Sequence, residues 1–255
     1  MARRGKHGFP DRIETDLAVK VEGAHYVYPN GQVVALSGVD LEVKKGELLG
    51  VIGQNGSGKT TLTKLLNRLL KPSSGSVYVN GLLTTDRKVQ EMSAHIGYVF
   101  QNPNHQLFAR TVKEELEFGP RNIGTPEDEI ASRVAEAVDF FDLAEFIDEH
   151  PYRVSFPTRK LVGIASVVTM KPSIIILDEP STGQDHQTTR IINSLMRRLA
   201  GEGTTVICVS HDMPLLADVV ERVVVMRDTR IVADASPREV FADEQLMRTT
   251  NLQAP

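Results

Sequence analysis

The segment that most constrains this chain is the glycine-rich stretch Gly53–Thr61, with the sequence GQNGSGKTT. It follows an apolar run ending at Ile52, which is typical of a buried parallel strand, and it precedes Leu62–Leu70, where apolar residues recur at helical spacing. A strand, a glycine turn and a helix are the context that a phosphate-binding GxxxxGK[ST] loop requires, whereas a purely structural turn does not need it. The sequence therefore predicts a nucleoside-triphosphate site.

Each residue type in this loop has a physical role in holding phosphate. Glycines let the backbone curl so that successive N–H groups point at the anion, and the helix N-terminus adds a positive dipole end. We expect Lys59 to reach the β- and γ-phosphates and the Thr60 hydroxyl to ligate Mg²⁺. The predicted nucleotide-binding residues of the loop are Gly53, Asn55, Gly56, Ser57, Gly58, Lys59, Thr60 and Thr61.

Polar residues also follow three other predicted parallel strands, at Gln101, at Asp178-Glu179 and at His211. Ligands of open α/β sheets bind at the carboxyl ends of the strands, so these side chains are expected to meet the phosphate loop. Individually, each has a simpler reading, as a solvated acid pair, a lone glutamine or a structural histidine. Their convergence with the loop on one ligand favours the functional reading.

These residues suit distinct tasks in triphosphate hydrolysis. Asp178 is expected to hold Mg²⁺ through its water shell, and Glu179 to polarise the water that attacks the γ-phosphate. Gln101 is placed to touch the metal or that water, and His211 to hydrogen-bond the γ-phosphate. The predicted catalytic residues are thus Glu179, His211 and Gln101, and the predicted metal ligands are Thr60, Gln101 and Asp178.

Tyr28 lies at the end of a predicted strand that should border the nucleotide site. It is predicted either to stack on the adenine, because base–aromatic stacking tolerates any base, or to be only an edge-strand aromatic. Its position in the sequence does not separate the two.

Composition limits the possible functions. The net charge of −4 argues against a dedicated nucleic-acid binder, and no apolar run approaches the 18 residues that a membrane span needs. The basic start has no apolar segment behind it, so residues 1–14 are predicted to be a flexible tail and not a signal peptide. The single cysteine, Cys208, lies in an apolar run and is consistent with a reducing cytoplasm.

The hydrophobic pattern predicts an α/β protein. Residues 15–236 are expected to form the main domain, with a helical subdomain inserted at about 102–171, because strand patterns stop there and return immediately afterwards. An amphipathic segment predicts a C-terminal helical extension over residues 237–255.

The order of these features resembles the ATPase subunits of ABC transporters. The resemblance rests on Tyr28, GQNGSGKT (53–60), Gln101, IIILDEP (174–180), Asp185 and His211, and it spans the chain after about residue 15. Within that family, residues 101–120 and 241–255 resemble the ATPases of energy-coupling factor importers. The resemblance implies a P-loop NTPase of the ABC ATPase fold, with an antiparallel β subdomain and an inserted helical subdomain.

The resemblance also implies partners. Two nucleotide-binding subunits would face head to tail, each ATP lying between the P-loop of one and the signature loop of the other. A membrane T component would dock near the Gln101 segment, and a membrane S component would bind the vitamin or metal ion to be imported. ATP and Mg²⁺ would be the cofactors, with no nucleic acid, and the chain would lie peripherally on the cytoplasmic face of the membrane.

One departure from the family is large. The family has LSGGQ where this chain has Val154, Ser155, Phe156, Pro157 and Thr158. Phe156 adds bulk where backbone should approach phosphate, and Pro157 removes an N–H donor, although proline suits a first helical turn and Ser155 suits an N-cap. The D-loop also departs, with Gln184 where the family usually has leucine. We therefore expect an asymmetric heterodimer with one competent and one degenerate site.

Two alternatives stay open. One is a soluble ABC ATPase that acts on nucleic acid or the ribosome, although neither a tandem cassette nor a long coiled-coil insertion is visible. The other is a regulatory subunit that senses nucleotide without useful hydrolysis, which the degenerate signature favours and the intact Asp178-Glu179 pair disfavours.

Overall fold

The computed structural model describes residues 8–29 and 33–252. The strands are β1 (Leu17–Val27), β2 (Val34–Lys44), β3 (Leu48–Gly53), β4 (Ser74–Val79), β5 (Leu82–Leu83), β6 (Ile96–Val99), β7 (Ile174–Asp178), β8 (Thr205–Val209), β9 (Arg222–Arg227) and β10 (Arg230–Ala235). The helices are α1 (Lys59–Leu66), α2 (Val89–Ser93), α3 (Val112–Asn122), α4 (Glu127–Phe141), α5 (Phe156–Val168), α6 (His186–Gly201), α7 (Met213–Val219), α8 (Pro237–Ala242) and α9 (Glu244–Thr250).

A six-stranded sheet with the order β10-β9-β3-β8-β7-β6 forms the centre of the molecule. Its strands pair in parallel from β9 to β6, and β10 is an edge strand that pairs antiparallel with β9. The inner strands β3, β7 and β8 are buried along their whole length, which is why they read as unbroken apolar runs. Their carboxyl ends lie at one edge of the sheet.

A second, antiparallel sheet has the order β2-β1-β4-β5. Buried and more exposed positions alternate along much of β2, as expected for a strand with one covered face. The prediction of an α/β fold with an antiparallel subdomain is confirmed.

The central sheet separates two hydrophobic cores. One core lies between this sheet and the antiparallel sheet and includes apolar residues of α1. The other covers the opposite face with residues of α3 to α9, and it contains the buried Cys208. Each face of the parallel strands is thus covered, which the apolar sequences of these strands require.

The helical region lies between β6 and β7. Helices α3 and α4 pack against each other and against α5, which also packs on β6. The described part of the predicted N-terminal tail contacts the antiparallel sheet, where Arg12 pairs with Leu82, and residues 1–7 of that tail lie outside the described residues. Within the described ranges no helix is both long and apolar enough to span a bilayer.

One element boundary differs from the sequence pattern, and the C-terminal segment shows a division that the pattern did not specify. The helix predicted to run to Leu70 ends at Leu66, because Asn67 caps it and Arg68 takes a left-handed conformation with φ of 67°. The C-terminal segment, for which the sequence predicted a helical extension over residues 237–255, forms two helices, and residues 253–255 of it lie outside the described residues. Asp243 separates them, and its carboxylate accepts a hydrogen bond from the Leu246 N–H and so caps α9.

Gly97 determines how closely α5 packs on β6. A methyl group added to Gly97 would lie 2.3 Å from Cγ1 of Val167 and 3.0 Å from Pro172. We expect Gly97→Ala to lower the free energy of unfolding in urea by about 1–3 kcal/mol, because overpacking forces side chains or backbone to shift.

The matched control is Gly201→Ala at the end of α6, where an added methyl group meets no described atom within 4 Å. This change should leave stability unchanged or raise it by up to about 1 kcal/mol, because alanine favours helix. Equal unfolding free energies for Gly97→Ala and the unsubstituted protein would contradict the packing account.

Candidate nucleotide-binding site

A cleft of about 440 Å³ lies at the carboxyl edge of the central sheet. The residues that line it come from the phosphate loop and the start of α1, from the end of β1 and the start of β2, from the ends of β7 and β8, and from the segments that follow β6, β7 and β8. They are Tyr28, Val33, Val34, Ala35, Asn55, Gly56, Gly58, Lys59, Thr60, Thr61, Gln101, Asp178, Glu179, Thr182, Val209 and His211. The structure therefore brings together most of the residues that the sequence assigned to the site.

Two predicted loop residues shape the loop and do not line the cleft. Gly53 has a φ of 148°, and a methyl group there would lie 2.1 Å from the Met226 carbonyl oxygen, so glycine is required. Ser57 is buried beneath it, and the Ser57 hydroxyl has no hydrogen-bond partner among the described residues. Their role, on this geometry, is to set the path of the backbone.

The Lys59 ammonium group bridges the loop. Its Nζ donates hydrogen bonds to the Gly53 carbonyl at 2.6 Å and the Gln54 carbonyl at 2.9 Å. Burial lowers the pKa of Lys59, and the charges of Glu179 and Asp178 oppose that shift. The lysine is thus held at the cleft wall, facing the end of β7 with its two carboxylates.

Glu179 is fixed by contacts with three residues, two at the end of β8 and one in the segment after β7. Its backbone has a φ of 49°, which is unusual for a residue other than glycine, and its N–H donates to the Val209 carbonyl at 2.8 Å. The carboxylate oxygen Oε2 accepts from the His211 N–H at 3.2 Å and from the Thr182 hydroxyl at 3.3 Å. A strained backbone of this kind persists only where surrounding contacts hold the residue in place, and such positions cluster at functional sites.

His211 lies beside Glu179 as its position after β8 predicts. The distance from His211 Nε2 to Glu179 Oε1 is 3.1 Å, and the imidazole is partly exposed in the cleft. Gln101 lines the same cleft from the segment after β6. All three predicted catalytic residues therefore share one space.

Tyr28 lies at the mouth of the cleft and is 39% exposed. Its hydroxyl is 3.3 Å from the Thr61 hydroxyl, and its ring packs edge to face on Tyr26 with centroids 5.1 Å apart. Because β1 lies between β2 and β4, Tyr28 does not follow an edge strand, and its stacking on adenine stays a prediction.

The donor set fits Mg²⁺ better than a metal that requires a protein cage. The described residues contain no group of three or more His, Cys, Asp or Glu side chains able to hold an ion. Mg²⁺ keeps several waters and binds through one or two carboxylates together with substrate phosphates. The Asp178 carboxylate and the Thr60 hydroxyl, beside a phosphate loop, provide that limited set.

Lys160, on α5, is a site residue that the sequence analysis missed. It is only 1% exposed, and its Nζ donates to the carbonyl oxygens of Gln101 at 2.7 Å, Phe100 at 3.1 Å and Glu179 at 3.3 Å. Burial lowers the pKa of Lys160 to about 8, opposed by the charges of Asp178 and Glu179. The only sequence signal was a lysine at the start of the apolar stretch of α5, directly after Arg159.

Tyr98, on β6, was also missed. Its hydroxyl donates to Oδ2 of Asp178 at 2.8 Å and lies 3.2 Å from the Thr63 hydroxyl. Burial, followed by the nearby Asp178 charge, raises the pKa of Tyr98, so the hydroxyl keeps its proton. A polar tip on an apolar strand, three residues before Gln101, was the available signal.

The five signature residues lie outside this cleft. Ser155 caps α5, since its Oγ accepts from the Thr158 N–H at 3.2 Å and lies 2.7 Å from the Thr158 hydroxyl. Val154 is buried, whereas Phe156 is exposed with its ring against Gly183. Pro157, in the first turn, has no N–H to offer.

Comparison with known proteins gives the family. The family described as ABC transporter matches residues 36–182. The energy-coupling factor transporter ATP-binding protein EcfA of Methanothermobacter thermautotrophicus is 39% identical over 239 residues, covering 93% of this chain and 76% of that protein. EcfA of Methanocaldococcus jannaschii is 38% identical, covering 93% of this chain and 85% of that protein.

A solved structure supports the same relationship. CbiO1 of Clostridium perfringens, described as part of an ABC transporter complex, has a TM-score of 0.80 at 36% identity, covering 93% of this chain and 95% of that one. A putative ABC transporter ATP-binding protein of Caldanaerobacter subterraneus is 42% identical over 240 residues, and the matched part of it is 42% of its length. The chain belongs to the ABC transporter family of ATP-binding subunits, and its resemblance to the energy-coupling factor ATPases is confirmed.

Proposed function

We propose that this chain is an ATPase subunit of an energy-coupling factor importer, acting at the cytoplasmic face of the membrane. The main evidence for this proposal is that one cleft is lined by Lys59, Asp178, Glu179, Gln101 and His211. The names of the relatives, energy-coupling factor transporter ATP-binding proteins, support the energy-coupling factor class. On this proposal a membrane T component receives the mechanical stroke, and an S component binds the vitamin or metal ion.

In the proposed mechanism each side chain has one task. Lys59 and the loop N–H groups bind the β- and γ-phosphates, and the ring of Tyr28 stacks on the adenine. Glu179, oriented by the His211 and Thr182 contacts, accepts a proton from the water that attacks the γ-phosphate. His211 donates a hydrogen bond to the γ-phosphate and so distinguishes ATP from ADP.

Thr60, Asp178 and Gln101 are the residues that would hold magnesium. When bound, the ion would neutralise the charge that develops on the phosphate oxygens. Asp178 already has one oxygen, Oδ2, engaged by Tyr98, which leaves Oδ1 for the metal or its water shell.

We further propose that the chain works in an asymmetric heterodimer. The N-terminus of α5 has lost much of its capacity to bind an anion, because Pro157 has no N–H and the Thr158 N–H is used by the Ser155 cap. The site completed by this loop would therefore be slow. The site built on this chain's own cleft needs a signature loop from a different subunit.

A groove beside the cleft fits the membrane T component. It has a volume of about 780 Å³ and contains the exposed apolar side chains Leu69, Val89, Phe108 and Phe118. Phe100 and Gln106 extend the groove to the Gln101 segment, so an occupant would contact the chain next to the catalytic residues. A groove of this shape and chemistry suits the apolar face of an amphipathic helix.

Glu179→Gln tests the catalytic assignment in the assembled heterodimer. We expect ATP turnover to fall by roughly 10²–10⁴-fold, because amide replaces the proton acceptor, while ATP affinity stays unchanged. Steady-state phosphate release and equilibrium nucleotide binding measure the two quantities.

The matched comparison replaces the corresponding glutamate of the partner ATPase by glutamine. This change should affect turnover little, because the site built on the partner's phosphate loop uses this chain's degenerate loop. The chain purified alone should turn over roughly 10²–10³-fold more slowly than the heterodimer, as expected when phosphate-facing donors are missing. A homodimer as fast as the heterodimer would exclude the asymmetric arrangement, and unchanged turnover of Glu179→Gln would exclude the catalytic role.

Phe108→Glu tests the groove, since Phe108 is 62% exposed there. Losing an apolar anchor and adding a charge should weaken binding of the T component by about tenfold or more. Binding is measured with the detergent-solubilised T component on an immobilised ATPase dimer.

The control is Val232→Glu, on β10 and 45% exposed, which introduces the same charge outside the groove. It should leave binding unchanged. If both variants bind the T component like the unsubstituted protein, docking takes place elsewhere.

A further inference from the structure

A buried chain of hydroxyl groups connects two of the residues assigned to the metal. Tyr98 is 9% exposed, and its Oη donates to Asp178 Oδ2 at 2.8 Å. Thr63, on α1, lies 3.2 Å from the same Oη, and its Oγ1 donates to the Thr60 carbonyl at 3.1 Å. The path therefore runs from the carboxylate at the end of β7 to the backbone of Thr60.

The direction of these hydrogen bonds is set by proton count. The Tyr98 hydroxyl has one proton, and the ionised carboxylate is the stronger acceptor. Thr63 is then the donor of its pair with Tyr98 and shares its proton with the Thr60 carbonyl. Asp178 thus receives a charge-assisted hydrogen bond from a group that is itself supported from α1.

The Tyr98 ring is held firmly enough to direct its hydroxyl. It packs on Phe100 with centroids 4.9 Å apart and an interplanar angle of 58°, and Tyr98 belongs to β6, which pairs in parallel with β7 next to Asp178. Groups that touch a metal need their orientation fixed by a supporting layer, and such support affects metal affinity by about 10–100-fold in known sites.

We propose that Tyr98 is a positioning residue that holds the Asp178 carboxylate in the orientation magnesium requires, with Thr63 supporting it from the phosphate-loop helix. This inference rests on the proposed function, because it assumes magnesium beside Asp178 and Thr60. It adds a residue of the β6 strand to a site otherwise built from the phosphate loop and the ends of β6 and β7. A purely structural tyrosine would stabilise the fold without affecting the metal.

The test is Tyr98→Phe, which removes the hydroxyl and keeps the ring. The measured quantity is the affinity of the purified chain for a non-hydrolysable ATP analogue, determined by calorimetry with Mg²⁺ and again with EDTA. We expect the gain in affinity on adding Mg²⁺ to fall by roughly 10- to 100-fold, as for the loss of one hydrogen bond to a charged group that supports a metal. Affinity in EDTA should not change.

Two further variants make the result specific. Thr63→Val should reduce the same Mg²⁺-dependent gain by a smaller factor, because Thr63 reaches Asp178 only through Tyr98. Tyr78→Phe is the matched control, since Tyr78 is also buried but lies on β4 in the antiparallel sheet. It should bind the analogue like the unsubstituted protein in both conditions.

The outcomes separate this inference from the proposed function. If the unsubstituted chain gains affinity from Mg²⁺ and Tyr98→Phe gains equally, Tyr98 does not position the metal ligand and the inference is wrong. If the unsubstituted chain gains nothing from Mg²⁺, the proposed magnesium site itself is wrong. Equal losses in Mg²⁺ and in EDTA would show a structural role for Tyr98 and would also overturn the inference.

Discussion

Two buried ammonium groups face two buried carboxylates at the carboxyl edge of the central sheet, and the rest of the site depends on this balance. All four residues are nearly inaccessible to solvent, namely Lys59, Lys160, Asp178 and Glu179. Burying any of these charges alone would cost several kcal/mol, so each requires the others and the carbonyl groups around them. The backbone carbonyls that the lysines bind belong to the loops that must stay in place for catalysis. The contacts that make burial of these four charges tolerable are therefore the same contacts that fix the geometry of the site.

Lys160 gives the helical region a direct connection to this edge. It extends from α5 and binds the carbonyls that follow β6 and β7, so a displacement of α5 would move both the Gln101 segment and the Glu179 backbone. The N-terminus of the same helix carries the signature residues, one turn away. A subunit that contacts this N-terminus would therefore act on the cleft through rigid helix and buried charge, without touching the cleft itself.

The parts of the site that could be predicted from the sequence are those that local patterns determine. The phosphate loop is defined by its own glycines and flanking elements, and Asp178, Glu179 and His211 were found because each lies at or just after the end of an apolar strand. Tyr98 could not be assigned because its role depends on which strand lies beside β7. Lys160 could not be assigned because its role depends on which side of α5 faces β7. The end of α1 at Leu66 was missed for a similar reason, since the following apolar residues continue the helical pattern while Arg68 adopts a left-handed backbone.

The proposed degenerate signature and the proposed nucleotide cleft are compatible because they occupy different parts of the chain. The cleft is assembled from strand ends and α1, whereas Phe156 and Pro157 lie at the N-terminus of α5 and line no part of it. The altered loop still starts a well-formed helix, with proline in its first turn and Ser155 as its cap, so the substitutions do not disturb the helix that carries Lys160. The proposed loss of anion binding at one end of α5 would thus leave the buried lysine, and with it the cleft edge that Lys160 contacts, in place. That separation is what makes a heterodimer with one working site physically reasonable for this chain.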